Sequence, residues 1–381
     1  MKRSACPNAR AGDGTVQLVD DLLAQALARG ASDVHFEPTD RCLLVRLRLD
    51  GQLCDIEELP TAIAENVVAR LKVMAGLLTY RIDIPQEGGL RWPPGVATEA
   101  ADRTDLRVAT FPTIRGERAV VRVFRTRGPV ETLDQLGLAD GQVDELRAAT
   151  RQAGGTVLLT GPAGSGKTTT LYAMLRHIQQ TTPERSLITL EDPVEQRIDR
   201  VTQIQVNPHG DLTYERCLRS LLRQDPQVIL MGEIRDAATA SIAVEASLTG
   251  HLVLTTLHSG DPAEAIVRLL EMGIAAYQLV SSVAVVCSQR LLRRLCTAGP
   301  CDRCFGTGYA GRIACAQIVR MNEELRAMVL DHASAPRLRR AIAERGPDLY
   351  ERGEELTEQG VTDAAEVRRV LGDPPSRPRK G

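Results

Sequence analysis

The stretch Gly161-Pro162-Ala163-Gly164-Ser165-Gly166-Lys167-Thr168 fits the pattern G-x-x-x-x-G-K-[ST]. An apolar run, Thr156–Thr160, precedes it, and a helical pattern, Thr169–Gln180, follows it. Strand, glycine-rich turn and helix together give the pattern a mechanism. Glycines let backbone N–H groups turn inward around phosphate oxygens, and the helix N-terminus adds a dipole that favours anions. Lys167 is placed to reach the β- and γ-phosphates, and the Thr168 hydroxyl to ligate Mg²⁺. Gly161 through Thr169 is therefore the candidate nucleotide-binding segment. A tight turn without a ligand is the bland alternative, but such a turn needs no lysine. Lysine is scarce here: the 381 residues hold four, Lys2, Lys72, Lys167 and Lys380, against 43 arginines. A chance match in a chain of this composition is on the order of one in a few hundred.

Around this segment, from about Glu131 onward, short apolar strands alternate with helical patterns: Thr156–Thr160, Leu187–Leu190, Val228–Met231 and Leu252–Leu257. Continuous apolar strands with helical crossovers imply a parallel sheet covered on both faces, an α/β fold. The last hundred or so residues, rich in Ala, Arg and Glu, read as mainly helical. In open α/β sheets ligands sit beyond the carboxyl ends of the strands. Two such ends carry acids, Glu191-Asp192 and Gly232-Glu233, and both are expected to face the nucleotide crevice. One carboxylate can polarise an attacking water and the other can hold Mg²⁺. Acids after strands also serve solubility; the phosphate loop in the same sheet tips the balance toward chemistry. A further strand ends at His258, where an imidazole can bond a γ-phosphate, although a histidine in a core is the commoner case. Arg219 and Arg223 lie one helical turn apart, Arg235 follows Glu233, and Arg107 and Arg122 lie in the first part of the chain. Guanidinium forks suit phosphoryl transfer, but with so many arginines spacing alone decides nothing.

Before this region the pattern differs. Val16, Val19, Leu22, Leu23, Ala26 and Leu27 predict a helix ending near Gly30. Leu43, Val45, Leu47 and Leu49 alternate up to Asp50-Gly51, a hairpin signal. Thr61–Leu78 reads as helix, and Leu106–Ala109 and Ala119–Phe124 as strands. Residues 15–125 are thus a small α+β domain, 126–130 a linker and 131–371 a second domain. Residues 1–14 and 372–381 read as disordered.

Lys+Arg 47 against Asp+Glu 49 gives a net charge of -2, which disfavours a nucleic-acid coat. Aromatic residues at 3% leave few stacking platforms for a nucleic-acid motor, so no nucleic-acid partner is expected. No apolar run is long enough to span a bilayer, and the N-terminus shows no secretion signal, so the nine cysteines are expected reduced in the cytoplasm.

Taken together, these segments resemble the secretion traffic ATPases of type II secretion and type IV pilus assembly (GspE/PulE/PilB-like). The resemblance rests on "ASDVHFEP" (31–38), "VRLRLDGQL" (45–53), "LRVATFPTIRGERAVVRVF" (106–124), "GPAGSGKTTTLYAML" (161–175), "ITLEDPVE" (188–195), "LRSLLRQDPQVILMGEIRDAATA" (218–240) and "LTGHLVLTTLH" (248–258). "QRLLRRLC" (289–296) and "GYAGR" (308–312) continue it, so that it covers about residues 17 to 371. It implies a PAS-like N-terminal domain joined to a RecA-like ATPase domain. It also implies a homohexameric ring that hydrolyses ATP with Mg²⁺, acts on an inner-membrane platform protein and sits peripherally at the inner membrane. Carried over by position, Lys167 and Thr168 belong to the Walker A motif, Glu191 is the general base, Glu233 belongs to Walker B and His258 ends a histidine box. Arg107 and Arg122 match arginines of the N-terminal domain that reach the nucleotide, and Arg219, Arg223 and Arg235 match those of the ATPase domain.

Three departures stand out. An additional N-terminal docking domain of the family is not represented. Ile82-Asp83-Ile84-Pro85-Gln86-Glu87-Gly88 replaces a segment that is basic in the family. Two CxxC pairs that bind zinc in many members shrink to Cys296, Cys301 and Cys304, with Gly299 where a partner of Cys296 would stand and Cys315 remote. Tetrahedral zinc needs four ligands, so no structural zinc is expected. The expected function is a motor that couples ATP hydrolysis to pilus or pseudopilus assembly and protein secretion. The alternatives are a pilus-retraction or conjugation ATPase and a nucleotide-binding scaffold with weak turnover.

Overall fold

Two β-sheets organise the chain, and the backbone divides into two units, residues 1–127 with 300–307 and residues 128–299 with 308–381. The computed structural model describes residues 13–92, 104–124, 130–206, 212–299, 301, 304 and 306–374. Most of the expected disordered N-terminus, residues 126–129 of the expected linker and the end of the expected tail lie outside the described residues.

The first unit comprises α1 (Asp13–Ala28), β1 (Asp33–Pro38), β2 (Cys42–Leu49), β3 (Gln52–Pro60), α2 (Thr61–Met74), β4 (Gln86–Trp92), β5 (Thr104–Thr113) and β6 (Gly116–Phe124). Its antiparallel sheet runs β3-β2-β1-β6-β5-β4. Asp50 and Gly51 both take positive φ, 49° and 86°, as the two-residue turn between β2 and β3 demands. Val19, Leu22, Leu23 and Ala26 of α1 and Val67, Val68 and Leu71 of α2 pack against Val34, Phe36, Val45 and Val121. The expected helix over 61–78 stops at Met74. Gly76 at φ 67° lets its own N–H and that of Leu77 turn back to the carbonyls of Val73 and Lys72, a paired cap that ends the helix.

The strands β1 and β4 have no counterpart in the sequence reading. In β1 only Val34 and Phe36 face the core, and the alternate residues Asp33, His35 and Glu37 meet a row of arginines. Asp33 pairs with Arg48 at 3.3 Å and Arg122 at 3.1 Å, and Glu37 with Arg46 at 3.3 Å and Arg118 at 2.8 Å. Burial and the arginines Arg48 and Arg118 push the His35 pKa down. The second interior lysine also has a defined place: Lys72 is fully buried, 2.5 Å from Glu117, and donates to the Arg81 carbonyl at 2.9 Å.

The second unit comprises α3 (Asp140–Thr150), β7 (Gly155–Thr160), α4 (Lys167–Thr181), β8 (Leu187–Glu191), β9 (Thr202–Gln205), α5 (Tyr214–Leu221), β10 (Val228–Met231), α6 (Ala237–Leu248), β11 (Leu252–Leu257), α7 (Pro262–Glu271), α8 (Ala276–Ser282), β12 (Val283–Leu295), β13 (Tyr309–Arg320), α9 (Glu323–Leu330), α10 (Ala335–Ala343), α11 (Leu349–Glu358) and α12 (Ala364–Leu371). Its sheet runs β13-β12-β7-β11-β10-β8-β9, parallel except for the β12–β13 pair. Two apolar clusters fill its faces, one under α3 and α4 and the other under α5 to α8. The four apolar runs lie in β7, β8, β10 and β11, and the carboxyl ends of these strands share one edge of the sheet.

The expectation of a mainly helical C-terminal part holds from Glu323 onward, where α9 to α12 follow one another, and needs correction before it. Val283–Leu295 and Tyr309–Arg320 form a long antiparallel hairpin that joins the sheet beside β7. Its β-branched run, Val283, Val285 and Val286, is the signal the Ala- and Arg-rich composition hid. α12 is pinned to this hairpin by Glu366, which is fully buried. Its carboxylate accepts from Arg293 Nη2 at 2.7 Å and from Arg369 Nε and Nη2, both at 2.6 Å, while Arg293 stacks 3.8 Å over the Tyr309 ring. Against the cost of burial, these donors hold the Glu366 pKa down at about 2. A depressed carboxyl pKa stabilises the fold above the ordinary carboxyl range and loses that contribution as the pH falls toward about 2. Glu366→Ala removes the buried carboxylate that accepts from Arg293 and Arg369 and is expected to cost about 3–5 kcal/mol in denaturant unfolding at neutral pH.

Candidate nucleotide site

The candidate site forms where β7 gives way to α4. Gly161, Gly164 and Gly166 take φ values of 145°, 75° and 86°, and no other residue type turns the chain in this way at so little cost. A Cβ on Gly161 would stand 2.5 Å from the Gln289 carbonyl and 2.7 Å from Ser165 Oγ; one on Gly166 would stand 2.8 Å from Gln289 Nε2. Pro162, Ala163 and Gly164 form the exposed rim. Ser165 Oγ is buried without a hydrogen-bond partner. Thr168 and Thr169, half-buried, occupy the first turn of α4, whose N–H groups have no acceptor within the helix.

Lys167 is buried, and its ammonium donates to the carbonyls of Gly161 at 2.8 Å and Pro162 at 3.0 Å. Burial pushes its pKa down; Glu233 opposes this and Arg290 adds to it. A desolvated cation in a loop of positive-φ glycines at a helix N-terminus, with an orphaned hydroxyl in the same loop, fits a polyphosphate.

Across the sheet edge, Glu233 is half-buried just beyond β10. It accepts from His258 Nε2 at 3.1 Å and from Arg235 Nε, and Arg235 also reaches Asp192 at 3.4 Å. Lys167, Glu233, His258 and Arg235 thus share one edge. The hydroxyl of Thr168 and the carboxylate of Glu233 are hard oxygen donors of the kind Mg²⁺ takes.

The expectation that Glu191 faces the crevice is corrected. Its carboxylate turns inward, 3% exposed, between α4, β8 and β9. It accepts from Tyr172 Oη, from Thr189 Oγ1 at 2.6 Å and from Gln203 Nε2 at 3.4 Å. Burial pushes its pKa up against those bonds. Tyr172 Oη in turn accepts from the backbone N–H of Glu195 at 3.3 Å, so the acid anchors the loop after β8 to α4.

The remaining arginines stand in pairings of their own. Arg219 meets Glu215 at 2.8 Å on α5, and Arg223 reaches Ser220 Oγ at 3.4 Å. Arg107 pairs with Glu87 at 2.6 Å and Arg122 with Asp33, all within the first unit. Two residues of β12, Gln289 and Arg290, touch the loop; the sequence placed them only in the matching stretch 289–296 and gave them no role, because the strand that positions them was not expected there.

The cysteines present a second arrangement. The sulfurs of Cys296, Cys301 and Cys304 lie within 4.8 Å of one another, closer than the sequence suggested. The Cys315 thiol is elsewhere: it donates to the Leu349 carbonyl at 3.3 Å, and burial pushes it up to about 12. Among the described residues three sulfurs gather there, one short of a closed tetrahedral site. Elemental analysis of the purified chain is expected to find well under one zinc per chain; stoichiometric zinc overturns this.

A family described as type II/IV secretion system protein matches residues 10–369. The chain belongs to this family. Curated relatives include the type II secretion system protein HxcR of Pseudomonas aeruginosa, 41% identical over 95% of this chain and 78% of the relative. Type II secretion system ATPase E of Vibrio cholerae is 36% identical over 93% of this chain and 75% of its own. The type IV pilus assembly ATPase PilB of Pseudomonas aeruginosa is 35% identical over 94% and 68%. Among solved structures, the ATPase DotB of Legionella pneumophila superposes with a TM-score of 0.76 at 22% identity, covering 95% of this chain and 97% of DotB. The pilus retraction motor PilT with bound ADP gives 0.64 at 22% identity, over 94% and 97%. At that identity the superpositions speak for the fold alone. The secretion and pilus-assembly ATPases are the function class to which this family member belongs. Among the described residues no helix is long and apolar enough to cross a membrane.

Proposed function

We propose that the chain is a ring-forming ATPase motor, a homohexamer whose hydrolysis cycle drives pilus or pseudopilus assembly and protein secretion through an inner-membrane platform protein. In this reading the first unit is PAS-like, the second is a RecA-like ATPase domain, and the protein works at the cytoplasmic face of the inner membrane. The observation that carries it is the phosphate loop with a buried Lys167 set on the same sheet edge as the Glu233–His258 pair.

Lys167 and the loop N–H groups bind and orient the phosphates. Thr168 and Glu233 would hold Mg²⁺, which would supply charge neutralisation at the phosphates. Glu233 takes the general-base role in place of Glu191, because its oxygens are held by side chains at the rim that can move aside. The donors to Glu191 are buried ones. His258, bonded to Glu233, links the acid to the turn after β11, and Arg235 screens the two acids at the strand ends. Arg107, Arg122, Arg219 and Arg223 are kept as candidates for contacts made in the assembled ring.

Calorimetry with Mg²⁺ and ATP, phosphate release and light scattering test this directly. Uptake of ATP, turnover and a six-copy mass are expected. Absence of ATP uptake by the folded protein sinks the reading.

A further inference from the structure

β12 runs parallel to β7 with Ser288 opposite Thr160, so the next two residues of β12 emerge beside the phosphate loop. The Gln289 side chain is 1% exposed and makes two bonds at once. Its Nε2 donates to the Ser165 carbonyl at 2.9 Å, and its Oε1 accepts from Thr170 Oγ1 at 2.8 Å. One bond grips the loop and the other the helix that follows it. Gly166, Lys167, Thr168 and Thr169 lie between the two grips. Any side chain at 166 would strike the same amide.

The neighbours on β12 extend the hold. Arg290 Nη1 donates to the Gln289 carbonyl at 2.9 Å and Nη2 to the Gly260 carbonyl at 2.8 Å, which Ser288 Oγ also reaches at 3.3 Å. Gly260 lies two residues beyond His258. Three consecutive residues therefore tie the phosphate loop to the turn that carries the histidine.

We propose that Gln289 is a positioning residue for nucleotide binding. Its amide holds Ser165 and Thr170 so that the N–H groups between them stay aimed at the phosphates. The two bonds dictate the residue type, because one side chain must donate to a carbonyl and accept from a hydroxyl. Glutamine does both, glutamate only accepts and alanine does neither. The inference rests on the nucleotide reading above.

The test is binding of a fluorescent N-methylanthraniloyl-ADP with Mg²⁺, together with the KM for ATP and the melting temperature. The chains compared are the wild type, Gln289→Ala, Gln289→Glu, Thr170→Val and the Gln289→Ala/Thr170→Val double variant. Gln289→Ala and Gln289→Glu are each expected to weaken binding about tenfold or more, with KM rising in step. Thr170→Val should weaken it less, and the double variant should be no worse than Gln289→Ala, because the hydroxyl acts through the amide. A purely structural role would lower the melting temperature and leave the affinity of the folded protein unchanged. Wild-type affinity in folded Gln289→Ala overturns the proposal, as does full additivity in the double variant. If the alanine variant does not fold, the glutamate variant decides by the same criterion, and if that too is unfolded, wild-type affinity in Thr170→Val overturns the proposal. Failure of the wild-type chain to take up the probe counts against the nucleotide site itself, not against the role of Gln289.

Discussion

Lys167→Ala is expected to remove ATP turnover, by a factor of at least about 10²–10³, while leaving the fold as stable as before or more so. The two halves of that expectation share a cause. The ammonium is buried, and its contacts are the carbonyls of Gly161 and Pro162; among the described residues no carboxylate lies within 4.0 Å of it. Burial lowers its pKa, which means that folding disfavours the charged form and that this cost is relieved as the pH rises. A cation held at a cost to folding is what a site for phosphates needs, since the ligand supplies the missing counter-charge. Phosphate release and thermal unfolding measured on the same preparation check both halves. Turnover retained at the wild-type level refutes the role given to the loop.

The second large effect separates the two strand-end acids. Glu233→Gln keeps the size and one acceptor oxygen but removes the charge, and it is expected to cut turnover about 10²–10⁴-fold while nucleotide still binds. Glu191→Gln should act on stability instead. Tyr172, Thr189 and Gln203 all donate to that carboxylate. An amide there places a donor against a donor, at a cost of about 1–3 kcal/mol. Single-turnover hydrolysis and denaturant unfolding of both variants discriminate between the acids. Loss of turnover in a fully stable Glu191→Gln, with Glu233→Gln active, returns the base role to Glu191.

The parallel part of the second unit could be read without coordinates because its information is local. A run such as Val228–Met231 is apolar at every position, as a strand covered on both faces requires, and the phosphate loop must follow a strand and open a helix. The Asp50-Gly51 turn announced its hairpin for the same reason. β1 escaped because its outer face is built of Asp33, His35 and Glu37, whose neutralising arginines lie on the neighbouring β2 and on β6, the latter 81 and 89 positions away. The β12–β13 hairpin escaped because arginine and alanine along it mimic a helix until the strand pairing is seen.

What the chain alone determined was the identity of the phosphate-binding segment and the edge of the sheet on which its partners must fall, because glycine conformation, the scarcity of lysine and strand patterning are properties of short stretches. Tertiary structure decided which of the two acids remains near that edge and which is sealed inward, and it brought Gln289 under the loop. Both outcomes depend on burial and on hydrogen bonds between residues up to 124 positions apart, and no local pattern encodes those.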